Sequence, residues 1–100
     1  ALPYEMTLFV HQRSIDYPRD KDGNINSLIH PDRVMQDWIE IRNGDPLFLD
    51  EFNKDINYIS KDKTYPVFIG EAAYKEKKIA MSFTKKEIIK CSKEWIKDFL

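Results

Sequence analysis

Cysteine is nearly absent: the single residue, Cys91, cannot close an internal disulfide, which suits a reducing compartment, here the cytoplasm. No apolar run approaches the roughly 18–20 residues that a membrane-spanning helix requires, so no membrane partner is expected. The opening ALPYEM has neither the basic flank nor the apolar core of a secretory signal. It also lacks an initiating methionine, as expected of a fragment or a processed chain. Glycine is scarce, and nowhere does it form a phosphate-cradling loop or a nucleophile elbow; a zinc-protease motif is missing too. Net charge is also missing. Sixteen Lys and Arg against seventeen Asp and Glu leave −1, so no overall field draws nucleic acid or anionic lipid. There is no internal repeat, low-complexity tract or linker rich in Pro, Gly or Ser.

What is present reads as one modest, mainly β domain. A hundred residues, 42% hydrophobic and 33% charged, is the composition of an ordinary globular chain. MTLFVHQRSI (Met6 to Ile15) is predicted as a strand, with Met6, Leu8 and Val10 facing one way and Thr7, Phe9 and His11 the other. The Asp22-Gly23 pair marks a tight turn, and INSLIH (Ile25 to His30) returns as a second strand ending before Pro31. PDRVMQDWIEI reads as helix or as extended chain, since Val34, Trp38 and Ile41 fit a helix face. RNGDP is a turn and PLFLD a short strand. INYISKDKTYPVFI is predicted as a hairpin turning around Lys61 to Lys63. Turn signals every ten residues or so point to a small barrel or sandwich with short helical segments. In the tail KKEIIKCSKEWIKDFL, Ile88, Ile89, Ser92, Trp95, Ile96 and Phe99 recur at helical spacing, which predicts a C-terminal amphipathic helix.

Several candidate sites fail on their residue types. Asp20, Asp22, Asn24 and Asn26 alternate as in a calcium loop. The glycine and bidentate glutamate that such a loop needs at its sixth and twelfth positions are here Ile25 and Pro31, so the segment is a turn. His11 and His30 have no cysteine or carboxylate at ligand spacing, and a zinc site normally takes at least three protein ligands. Cys91 has no nucleophile signature and reads as buried filler. Lys75, Lys77 and Lys78 are interrupted by Glu76 and read as a solvated face. No metal ligand and no catalytic residue is assigned.

The stretch YPVFIGEAAYKEKK, Tyr65 to Lys78, stands apart. Tyr65, Val67, Phe68 and Ile69 read as a buried strand that stops at Gly70. Two alanines, Ala72 and Ala73, then separate Glu71 from Tyr74, and on a helical turn those two side chains share a face. A phenol on a rigid apolar body is suited to fixing a ligand carboxylate. The bland alternative is a core-edge tyrosine and a turn-capping carboxylate, and on residue types alone it outweighs the functional one.

DYPRDKDGN, IHP, QDW, GDPLFLD and YPVFIGEAAYKEKK follow one another in an order that resembles the carboxy-terminal region of the succinylglutamate desuccinylase/aspartoacylase family. These are zinc-dependent N-acyl amino acid deacylases, hydrolases related to zinc carboxypeptidases. The resemblance runs from about Met6 to Phe83; the tail departs from it. It implies that residues 1–100 are the β-rich carboxy-terminal domain, a barrel-sandwich hybrid, of a larger enzyme. The zinc ligands, two histidines and a glutamate, would then lie in an amino-terminal domain that this sequence does not contain, and the fragment alone would be inactive. It also implies that Tyr74 binds substrate while Glu71 holds the tyrosine's surroundings in place.

The reaction implied is metal-assisted amide hydrolysis, N-acetylaspartate to aspartate and acetate, with zinc lowering the pKa of its bound water to about 7. Tyr74 would orient the substrate. The partner implied is the protein's own zinc domain, and a homo-oligomer is expected if the docking face is left open. Two other classes stand beside this reading. One is a non-catalytic binding module of the same fold; the other, a nucleic-acid-binding small barrel, is disfavoured by the balanced charge.

Overall fold

Alternation from Met6 to Ile15 does produce a strand: in the computed structural model, which describes residues 4–91, β1 spans Tyr4–Ile15. Its partner comes from the other end of the chain. Residues Met81–Cys91 form a long strand that pairs with β1 antiparallel, from Tyr4 opposite Cys91 to Ile15 opposite Met81. A bulge between His11 and Arg13 shifts the register by one residue, which bends the ribbon and re-aims the side chains beyond it.

Between these two strands the chain builds a second sheet. The Asp22-Gly23 turn forms as expected. Asp20 Oδ1 accepts from the N–H groups of Asp22 and Asn24 at 2.9 Å each, and Gly23 takes φ +84°. Strands β2 (Ser27–Ile29), β3 (Pro46–Asp50) and β4 (Asp55–Asn57) then lie in the order β2-β3-β4, all antiparallel. β5 (Tyr65–Val67) crosses back to pair with β6, the Met81–Cys91 strand, giving the order β1-β6-β5. The result is two three-stranded sheets facing a shared core with no closed barrel.

Three sequence expectations change. β4 and β5 belong to different sheets, so residues 56–69 are a crossover and not a hairpin. The lysines at 61 and 63 have turn chemistry, but the register of β5 is set by β6: Thr84 Oγ1 donates to the Tyr65 carbonyl at 2.6 Å and Thr64 Oγ1 donates to the Thr84 carbonyl at 2.9 Å. The predicted tail helix is a strand as far as Cys91, so Ile88 and Ile89 belong to β6; Ser92, Trp95, Ile96 and Phe99 lie outside the described residues, as does the Cys91 side chain. Segment 31–41 is neither helix nor strand beyond one 3-10 turn, Pro31–Arg33. Its backbone is tied down tertiarily instead, Trp38 N–H donating to the Pro66 carbonyl at 2.8 Å and Ile41 exchanging two bonds with Thr64.

The core gathers Tyr17, Ile41, Leu47, Phe48, Tyr58, Ala80, Met81 and Phe83 between the sheets. Tyr58 meets Phe83 edge-on with ring centres 5.5 Å apart, a favoured aromatic geometry. Met81 and Ile41 are completely buried. Met81→Ala should therefore cost about 2–5 kcal/mol, read from denaturant unfolding; a loss below 1 kcal/mol would place Met81 outside the structural core.

The turn after β1 carries a second test. Asp16 accepts from Arg19 Nε at 2.8 Å and from the Tyr17 N–H at 2.7 Å, and the Arg19 guanidinium holds its carboxyl below the ordinary value. A lowered native pKa stabilises fully above about pH 4 and loses that contribution as pH falls through the native value. Asp16→Asn should thus melt slightly below the parent at pH 7, the gap closing on acidification. A gap that widens in acid contradicts this.

Candidate functional site

The stretch that stood out in the sequence folds as a loop clamped at its base. Gly70 N–H donates to the Ala80 carbonyl at 2.8 Å, and Ala80 N–H donates to the Ile15 carbonyl at 2.6 Å. Those two bonds fasten the loop to the end of β1. Gly70 takes φ +65°, a conformation that L residues with a Cβ adopt at a cost. β5 itself ends at Val67, two residues earlier than the sequence suggests, because Phe68 also enters the left-handed region at φ +53°. Its N–H is captured by Asp37 Oδ2 at 2.8 Å.

A single helical turn follows, α1 (Ala72–Lys75). Tyr74 N–H donates to the Glu71 carbonyl, and the Tyr74 carbonyl accepts from both Lys77 and Ile79, all at 3.0 Å. The Tyr74 ring is half-buried, tilted against Phe68 with centres 5.7 Å apart, and Lys77 Nζ lies 5.8 Å from its centre. No hydrogen bond to the Tyr74 hydroxyl occurs among the described residues. Ala72 and Ala73 are exposed.

Glu71 differs from expectation. The turn-capping role open to it on residue type is not taken up: the side chain is exposed and caps no N–H of α1. The link from Glu71 to Tyr74 runs through the backbone, not between side chains. Residue type could not have revealed this, since carboxylates occupy both settings.

Beside this loop lies a second feature that residue types did not signal. Met35, Trp38 and Phe68 all have positive φ, at 59°, 67° and 53°, although bulky side chains are outliers there. All three are exposed, Met35 by 89%. Trp38 N–H donates to the Pro66 carbonyl and Phe68 N–H to Asp37 Oδ2, so the two segments are tied to each other, and Trp38 packs on Phe9 at 4.8 Å. Strain of this kind persists only where surrounding structure enforces it, and it clusters at functional surfaces.

The remaining sequence candidates do not assemble. His11 Nε2 pairs with Ser14, while His30 bonds Asp55 at 2.9 Å and accepts from the Asp32 N–H at 3.0 Å. Among the described residues no three His, Cys, Asp or Glu side chains come together as a metal-binding group. Lys75 lies over the Tyr17 ring at 5.9 Å, and Lys75, Lys77 and Lys78 are all exposed, the solvated face expected. No helix among the described residues is long and apolar enough to cross a membrane.

Comparison with known proteins bears on this site. Over residues 4–86 the sequence matches the AstE/AspA barrel-sandwich hybrid domain. A probable aspartoacylase of Prochlorococcus marinus strain AS9601 is 58% identical over 98 residues, 98% of this chain and 33% of that protein. Its counterpart in strain NATL1A is 47% identical over 94 residues, 93% of this chain and 30% of that protein. The crystal structure of murine aminoacylase 3 superposes with a TM-score of 0.84 at 34% identity, covering 88% of this chain and 29% of that one. The chain spans about a third of the length of the curated relatives it matches.

Gly70 gives the local test. A Cβ there would sit 3.4 Å from Ile29 Cγ1, ordinary contact, so the penalty of Gly70→Ala comes from backbone conformation. It should cost about 1–2 kcal/mol and disturb the Tyr74 amide resonance. A neutral or stabilising effect would mean that the loop does not hold this conformation.

Proposed function

Because the chain belongs to the AstE/AspA barrel-sandwich hybrid domain family, we propose that it is the carboxy-terminal domain of a deacylase that hydrolyses N-acyl amino acids, N-acetylaspartate first among them. The names of its relatives, probable aspartoacylase and aminoacylase, support the reaction class. One observation carries the domain's role within it. Tyr74 stands on a loop clamped at its base, its ring packed on Phe68 and its hydroxyl unpartnered among the described residues, beside an exposed apolar face held under strain.

The face supports a docked partner, the remainder of a protein about three times as long. Three bulky residues at positive φ together cost about 3–9 kcal/mol, and their exposed surface returns only part of the burial that would offset it. Covering Met35, Trp38 and Phe68 with another domain supplies that burial. Docking also brings Tyr74 into a drier site, where its phenol donates to a substrate carboxylate and fixes the acyl group's position for attack. Glu71, exposed at the start of α1, then supports the tyrosine's surroundings from the covered face. The zinc expected of such a deacylase finds no three-ligand set among the described residues. Its ligands are therefore assigned to the part of the protein outside this chain, and no step is derived through it.

Tyr74→Phe in the intact protein tests this. With the ring retained, the melting temperature should hold while kcat/KM on N-acetylaspartate falls about 5- to 150-fold, equivalent to about 1–3 kcal/mol. Glu71→Ala should leave stability within about 0.5 kcal/mol yet lower activity. Unchanged kcat/KM for Tyr74→Phe on every N-acyl amino acid tried would reduce Tyr74 to a packing residue.

A further inference from the structure

The second edge of β6 is only partly covered. β5 pairs with Ser82, Phe83 and Thr84, and among the described residues no strand continues that pairing towards Cys91. A groove of about 850 Å³ opens at this point. Its lining takes Phe83 and Lys85 from one side of the pleat and Thr84, Lys86 and Ile88 from the other. Successive strand side chains point to opposite faces, so both faces of β6 border the groove, which also reaches Gln12 and Arg13 of β1 and opens along the unpaired part of the β6 edge. It occupies the line that β5 would follow if it were longer.

The groove is also basic, in a chain of net charge −1. Arg13, Lys61, Lys63, Lys85 and Lys86 line it against one acid, Asp62. Lysine on an open edge by itself is a common guard against aggregation. Here, however, Lys61 and Lys63 come from the crossover segment on the far wall, so cations stand on both sides of the slot. Three are already engaged, Arg13 over the Phe83 ring at 5.3 Å, Lys63 with Glu40 at 3.6 Å and Lys86 over the Tyr65 ring at 5.8 Å. Lys61 and Lys85 form no ion pair among the described residues. Aromatic rings complete the floor, with Tyr58 and Phe83 5.5 Å apart.

We propose that this slot binds an extended acidic peptide segment, which adds a strand to β6 in line with β5. Main-chain bonds to the open edge would supply affinity, and carboxylates reaching Lys61 and Lys85 would supply selectivity. An edge that offers N–H and C=O groups favours a peptide over a nucleic acid, which has no ladder to share. The proposal stands independently of the role given to Tyr74.

The test uses the intact protein and a labelled, end-capped peptide of alternating Glu and Val, about ten residues long, at low salt. Binding by fluorescence anisotropy should be accompanied by amide shifts confined to Lys85–Ile88 and the Ser60–Thr64 wall. The Gln-for-Glu peptide, and the Lys61→Glu/Lys85→Glu variant, should each bind roughly tenfold more weakly, the variant with unchanged melting temperature. N-methylation of alternate peptide amides should abolish binding. Failure of the Glu peptide to bind, insensitivity to N-methylation, or equal competition by an oligothymidylate or a sulfated oligosaccharide would overturn the proposal. The last result would show a general polyanion surface.

Discussion

The antiparallel pairing of β1 with β6 is the constraint on which the rest depends. It joins residues at opposite ends of the described chain, Tyr4 with Cys91 and Ile15 with Met81, and everything between must leave and return within that frame. The entropy of closing so long a loop grows only slowly with length, and the burial of Met81, Ala80 and Phe83 at the ribbon's inner end offsets it. The second sheet then covers that inner end. β5 completes the first sheet by pairing with Ser82, Phe83 and Thr84, beside Met81 and Ala80 in the core. The loop carrying Tyr74 takes its position from this junction, since Ala80 is both the partner of Gly70 and the residue bonded to Ile15.

Such a frame explains how a tyrosine on a loop can be positioned finely. A loop fixed only by its ends would let Tyr74 wander by more than the fraction of an ångström that positioning requires. Here the loop is braced in three places: Gly70 at its base, the Phe68 amide on Asp37, and the Tyr74 carbonyl receiving two N–H groups. Glu40 adds a further brace between segment 31–41 and β5. Its carboxylate accepts from Arg42 at 2.9 Å and from the Tyr65 hydroxyl at 3.3 Å, and the Arg42 guanidinium holds it below the ordinary carboxylate value. Glu40 is thus satisfied locally, while the Tyr74 hydroxyl has no hydrogen bond among the described residues.

Much of the architecture was legible where the cue was local. PLFLD is a strand because a turn with Gly44 at φ +94° precedes it, and the Asp22-Gly23 turn follows from glycine's freedom. Errors arose where the deciding contact is distant. Lys61 to Lys63 has the chemistry of a hairpin turn, yet β5 answers to Thr84, twenty residues on. Ile88 and Ile89 satisfy helical spacing equally well because the outer ribbon leaves both faces exposed, so no burial imposes alternation on the sequence. At the candidate site, the exposure of Glu71 and the positive φ of Met35, Trp38 and Phe68 leave no local signature. Trp38 and Phe68 lie where segment 31–41 is tied to the end of β5, through the Trp38 N–H on Pro66 and the Phe68 N–H on Asp37.

The same contacts bear on the chemistry open to the described residues. A site that performs acid–base chemistry gathers titratable groups whose neighbours push their pKa values apart. The described residues do the reverse: Asp16 and Glu40 are each held low by an adjacent arginine, and the two histidines are spent on local hydrogen bonds. What the chain offers instead is shape: a strained apolar face, a braced phenol and an open basic edge. All three are means of recognition. On the function proposed above, such a domain contributes to a reaction by deciding what sits where.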